Sequence, residues 1–163
     1  MCSQAAIDIL AAVVDQEASS IVRYLEEVAQ LRSADGKDAE IQAALEQLYT
    51  ESCLDMGAIM EILGEHAAVS PNVAWEMDCS RLNFLRPVFV VEAVTSSTRE
   101  HIENLGKLSA ALGEAGWEEA QQAVERLVER KTTGLGRLEG IASRSSLAGS
   151  EPPRRNGTSA SRW

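Results

Sequence analysis

Along most of the chain, apolar residues recur in alternating steps of three and four, the spacing of helices that bury one face. From Ser3 to Arg32 the stripe reads Ile7, Leu10, Val14, Glu17, Ile21, Tyr24, Val28 and Leu31. From Asp38 to Ala67 it reads Ile41, Leu45, Leu48, Ser52, Asp55, Ile59, Ile62 and His66. Tyr49, Cys53, Met56, Met60 and Leu63 widen that face. A third run, from Pro87 to about Leu112, is densely apolar at Val88, Phe89, Val91 and Val94, and continues through Ile102, Leu105, Leu108 and Leu112. Thr95-Ser96-Ser97-Thr98 in its middle is polar but small, which permits close helix approach. A fourth run, Trp117 to Ala142, turns Val124, Val128, Lys131, Leu135 and Leu138 inward. Turn chemistry at Ser33-Ala34-Asp35-Gly36 and at Gly113 to Gly116 separates neighbouring runs. The pattern predicts an all-α four-helix bundle. Its first two helices would each be about 45 Å long and form an antiparallel hairpin.

Residues 68–86 leave two topologies open. Ser70-Pro71 can start a helix, with Ser as the N-cap and Pro at the first helical position. Pro87 breaks or kinks whatever began there. Either the third helix is one kinked rod from Pro71, or 68–86 is a crossover and the helix starts near Pro87. The second alternative gives a bundle with one long crossover between its second and third helices.

Each predicted helix places one charge on its inward stripe: Glu17, Asp55, Glu92 and Lys131. A buried charge is costly unless it is paired or bound to a metal. Four at one level would make a polar layer inside the bundle, or, with the helices turned slightly, would reach out to its rim.

Composition narrows the class. The chain has 163 residues, of which 45% are hydrophobic and 4% aromatic, so the core is mostly aliphatic. This suits helices better than a sheet sandwich. The formal net charge is −10, and residues 143–163 carry four Arg and one Glu, leaving −13 on residues 1–142. So acidic a body argues against nucleic-acid binding and against docking on anionic lipid. No apolar run is long enough to span a bilayer, and Met1-Cys2-Ser3-Gln4 has no basic segment of the signal-peptide kind. Cys2, Cys53 and Cys79 are odd in number and lack metal-type spacing, so they read as reduced cytoplasmic thiols, with Cys53 and Cys79 buried as small hydrophobes. The domain expected at 1–142 is therefore followed by a basic, disordered Ser/Gly/Pro/Arg tail at 143–163, ending in a Trp163 that this composition does not explain.

The order of the inward charges resembles the ferritin-like superfamily. Four segments carry the likeness: "EASSIVRYLEEV" around Glu17, "LDMGAIMEIL" around Asp55, "VFVVEAVTSST" around Glu92 and "ERKTTGLGRLEGI" around Lys131. The resemblance covers roughly residues 3–142 and rests on one residue per helix. It implies a bundle with a di-iron site of one Glu on each of two helices and a Glu-x-x-His pair on each of the others. Glu17 and Glu92 match family ligands, while Asp55 replaces a Glu. The first His position holds Ala58, Lys131 stands in place of a Glu, and Gly134 occupies the second His position. In a shifted frame Glu51 and Glu129 are the carboxylates, and Leu54 and Thr132 then replace the histidines. The resemblance thus implies a degenerate site, in which the Lys131 ammonium stands in for iron or manganese among carboxylates. Possible metal ligands are Glu17, Glu51, Asp55, Glu92 and Glu129, and no cofactor is expected.

Two histidines remain. His66 closes the second predicted helix as a cap. His101, in "STREHIENLGKLSAALG", is faintly similar to the phosphoacceptor of histidine-phosphotransfer domains. However, Gly106 and Lys107 lie too far behind it, and Glu100 would repel a phosphoryl group. It reads as an exposed helix histidine. No phosphate loop is present and no catalytic set is assigned. The expected function is a non-catalytic binding, scaffold or regulatory bundle, acting through a protein partner or through self-association as a homodimer. The alternatives are a signalling adaptor using His101 and, after it, a metal oxidase with unusual ligands.

Overall fold

The computed structural model describes residues 3–32, 36–75 and 77–148. Within them the chain is all-α: α1 (Gln4–Ala18), α2 (Ile21–Glu27), α3 (Gly36–Gly64), α4 (Pro87–Glu114) and α5 (Glu118–Ala148), with a 3-10 turn at Met77–Leu82. No helix among the described residues is long and apolar enough to cross a membrane.

The long first helix expected over 3–32 is two helices. Ser3 caps α1 by accepting from the Ala6 amide. The helix ends at Ser19, and Ser20 turns to extended backbone with φ −67° and ψ 150° before α2 begins. The break is held from outside. The Ser19 hydroxyl accepts from Ala74 N at 3.0 Å and donates to Asn72 O, while Asp15 Oδ1 accepts from Asn72 N at 2.7 Å. Beyond α2 the chain continues without regular structure to Arg32, and backbone bonds join it to the entry of α4: Phe84 N to Gln30 O at 2.7 Å and Arg32 N to Leu85 O at 3.0 Å. The turn expected at Ser33-Ala34-Asp35 and the tail with Trp163 lie outside the described residues, as does Cys2. The helical part of the chain continues past the boundary expected at Ala142, because α5 runs on to Ala148.

Residues 68–75 form no helix, so the Ser70-Pro71 start is not used. Pro87 opens α4 instead, in its first turn, where a missing amide hydrogen costs nothing. The remaining needs of that helix start are met by Asp38, buried at the start of α3. Its Oδ1 accepts from Val88 N at 3.0 Å and its Oδ2 from Arg86 Nε at 2.6 Å. Trp75 packs edge-on to Tyr24 with ring centroids 5.6 Å apart, fastening the crossover to α2.

Two apolar clusters divide the interior. One joins Leu10, Val13 and Val14 of α1, Met56, Ile59 and Leu63 of α3, Leu105 and Leu112 of α4, and Ala120 to Leu127 of α5. The other joins Val22 and Leu25 of α2, Ile41, Leu45 and Leu48 of α3, Val90 and Val94 of α4, and Leu138 of α5. The order of residues within each cluster sets the directions. The combined α1–α2 rod runs antiparallel to α3, α4 runs parallel to α3, and α5 runs antiparallel to α4. A parallel α3 and α4 require residues 65–86 to travel the length of the molecule.

Candidate functional site

Between the two apolar clusters lies a polar layer to which four helices contribute. Glu17 follows Val14, Ser52 and Asp55 fall between Leu48 and Ile59, Thr98 and His101 between Val94 and Leu105, and Lys131 between Leu127 and Leu138. At its centre Lys131 Nζ lies 2.9 Å from Glu17 Oε1, with each side chain 1% exposed. The contact is an ion pair whose angle is poor for a hydrogen bond, because Glu17 Oε1 has no hydrogen-bonding partner. The other carboxylate oxygen, Oε2, is 3.0 Å from His101 Nε2, and the His101 side chain is 12% exposed. Burial alone would raise the Glu17 pKa. The Lys131 ammonium and the His101 ring overcome that and hold it down at about 2.

Asp55 flanks this centre. Its Oδ1 is 3.1 Å from Arg130 Nη1 on α5, and its buried Oδ2 has no partner. Burial pushes its carboxyl pKa up. Arg130 and Arg126 oppose the shift, and the negative charges of Glu17 and Glu51 add to it.

Three members of the expected layer therefore occupy their places, and the fourth does not. Glu92 is exposed. With its start held by Asp38, α4 turns Pro87, Val90, Val94, Thr98 and Leu105 inward, which leaves Glu92 and Phe89 on the outer face. The α4 contribution comes instead from His101, which is not the exposed helix histidine expected. Its signal was present: Val94, Thr98, His101 and Leu105 continue one stripe in steps of four, three and four. As a phosphoacceptor His101 is poorly placed, because its Nε2 faces a carboxylate. Arg130 was also missed, as an outward charge that folds back onto Asp55.

The positions implied for metal ligands scatter. Glu51 is half-buried, accepts from Gln47 and lies 3.8 Å from Arg137, and Glu129 is exposed. Among the described residues no three His, Cys, Asp or Glu side chains gather as a metal would require. Ala58 is exposed, so a histidine there would point away from the layer. Gly134 is buried against Leu48, whose Cδ1 would lie 2.6 Å from a Cβ at that position. A histidine there would have to displace the buried Leu48 side chain from the contact between α5 and α3. His66 is exposed beyond the end of α3 and meets the Trp117 ring edge-on at 5.0 Å. Cys53 and Cys79 are half-buried rather than buried as expected.

A cleft of about 610 Å³ opens onto the layer. The break between α1 and α2 supplies Gln16, Ser19 and Ser20, α4 supplies Ser96, Ser97, Thr98 and His101, and Lys131 of α5 closes the deep end. The crossover forms the far wall through Ala74, Asp78, Cys79 and Leu82. Gln16 Oε1 and the buried hydroxyls of Ser20 and Thr98 have no hydrogen-bond partner among the described residues. Buried polar atoms are usually paired, so such a group on a cleft wall needs an explanation.

Compared with known protein families, curated proteins and solved structures, the chain matches none.

Proposed function

We propose that the chain is a four-helix bundle with one long crossover, in which α1 and α2 together make one rod, and that it works as a non-catalytic small-molecule binding protein. A parallel second and third rod joined by a long connection is the plan of ferritin-like bundles. In this reading the Glu17–Lys131–His101 cluster takes the place that a di-iron centre has in that family. The charge is balanced by an ammonium, so the layer serves as a rigid polar floor.

One observation carries the binding role. A cleft of about 610 Å³ is lined by Ser20 and Thr98, whose buried hydroxyls have no hydrogen-bond partner among the described residues. Clefts of this size commonly take small organic ligands, oriented by a few convergent polar groups. Leaving two hydroxyls unpaired costs stability, and a bound molecule would return the missing bonds.

The test is a thermal-denaturation screen of polar metabolites against the wild-type protein and a Ser97→Trp variant, which fills the cleft from its α4 wall. Ligands that raise the melting temperature of the wild type and not of the variant are the expected outcome. A library without hits, or hits shared equally by the filled variant, overturns the binding role.

A further inference from the structure

The distribution of charge along the cleft narrows the ligand class. The deep end holds the Lys131 ammonium, the His101 ring and the hydroxyls of Ser20 and Thr98. The exposed side chains at the outer wall include two acids, Asp78 and Glu100. Among the described residues these four are the lysine, histidine and acidic side chains on the cleft wall, and Glu17 stands behind two of them. The cleft is thus basic and hydroxyl-rich inside and acidic at its rim.

Each end suits one charged group. An ammonium has three donors, and Lys131 directs at most one toward Glu17. Its remaining donors, with the Ser20 and Thr98 hydroxyls, can surround a carboxylate. Glu17 has both oxygens engaged, one by Lys131 and one by His101, so its charge is largely spent before a ligand enters. At the rim Asp78 is only loosely matched by Arg81, at 3.3 Å with both side chains mostly exposed, which leaves it able to receive a cation. The protein as a whole carries −10, so a ligand with net negative charge would be repelled on approach. A ligand of zero net charge escapes that penalty and still satisfies both ends.

We infer that the cleft takes a small zwitterion of the amino-acid class, with its carboxylate at Lys131, Ser20 and Thr98 and its ammonium toward Asp78 and Glu100. This rests on the binding role proposed above and specifies its ligand.

The experiment is calorimetric titration of the full chain with the twenty free amino acids and with dialanine, each at millimolar concentration. Any binder is followed by its deaminated acid and its decarboxylated amine. Saturable binding of at least one zwitterion is expected, with both singly charged analogues weaker by about tenfold or more. Thr98→Val, which keeps the shape and removes the hydroxyl, and the exposed pair Asp78→Asn with Glu100→Gln should each weaken it several-fold. An acid or an amine that binds as tightly as its parent overturns the inference, as does silence from every amino acid and dialanine. If neutral polyols or nucleosides bind the wild type and not Ser97→Trp, the zwitterion assignment falls while the binding role stands. If those fail too, both fall.

Discussion

Replacing Lys131 by Met tests the polar layer at its centre. The substitution keeps an unbranched side chain one atom shorter, with most of its packing, and removes its charge. Lys131 Nζ and Glu17 Oε1 are 2.9 Å apart. At an effective dielectric of about 20, that separation corresponds to a Coulomb attraction of about 6 kcal/mol before the cost of burial. The Glu17 pKa gives a figure after that cost. Its fall from 4.5 to about 2 is equivalent to about 3 kcal/mol of preference for the charged form. Both agree in scale with the loss of about 3–5 kcal/mol seen when one partner of a buried pair is removed. Urea denaturation followed by circular dichroism should therefore show Lys131→Met destabilised by about 3–5 kcal/mol at neutral pH, with the m-value unchanged. A loss that large can consume most of the stability of a domain, so the double variant Glu17→Gln with Lys131→Met is the companion measurement. With the stranded carboxylate gone, it should regain at least half of the loss. A single-variant loss below about 0.5 kcal/mol, or a double variant no better than the single, would refute the buried pair.

The same pair sets a pH signature. The Glu17 pKa is lower in the folded state, so its contribution is complete above about 4.5 and disappears as pH falls toward about 2. The stability difference between wild type and Glu17→Gln should shrink over that interval, and a constant difference across it would contradict the assignment. Asp38→Ala removes both bonds at the start of α4 and should cost about 1–2 kcal/mol in the same denaturation assay, with no loss meaning the Val88 amide is satisfied by water. A Cβ at Gly134 would meet Leu48, whereas at Gly136 it would meet nothing. Gly136→Ala should therefore stabilise by about 0.5–1 kcal/mol, and Gly134→Ala should fall below wild type by about 1 kcal/mol because overpacking outweighs the helix gain. Equal effects at the two sites would mean the α3–α5 contact is looser than described.

What could be read in the chain followed from periodicity, and what could not followed from contacts between distant segments. The α3 stripe from Ile41 through Ser52 and Asp55 to Ile59 was legible because one helix face alternates without interruption. The same holds for Lys131 between Leu127 and Leu135 on α5. Glu17 was legible for the same reason, yet the helix carrying it stops at Ala18. Its stripe continues unbroken into α2, so periodicity cannot reveal a break that Asn72 and Ala74 impose through Ser19 and Asp15 from more than fifty residues away. That break also opens the cleft, so the feature that most changes the functional reading was the least visible locally.

The misplacement of Glu92 has the same origin. Val88, Phe89, Val91 and Val94 are apolar on every side, and such a run does not say which way the helix is turned. Packing of Val90 and Val94 against the other helices decides it, with Asp38 holding the Val88 amide at the helix start, and the consequence reaches about three to four turns further, to Thr98 and His101. With Glu92 inward, the layer would have held three carboxylates around one ammonium, a set suited to a cation. With His101 and Thr98 there instead, one carboxylate is shared by Lys131 and His101, and the other, Asp55, pairs with Arg130. A rotation of one helix is thus the difference between a remnant metal site and the floor proposed for the cleft. Asp38→Asn keeps one acceptor for Val88 and gives up the Arg86 pairing, so it should retain the rotation that Asp38→Ala relaxes. If loss of the Val88 anchor frees α4 to turn, Asp38→Ala should weaken cleft binding while Asp38→Asn leaves it intact. Equal binding by the two variants would place the control of α4 elsewhere.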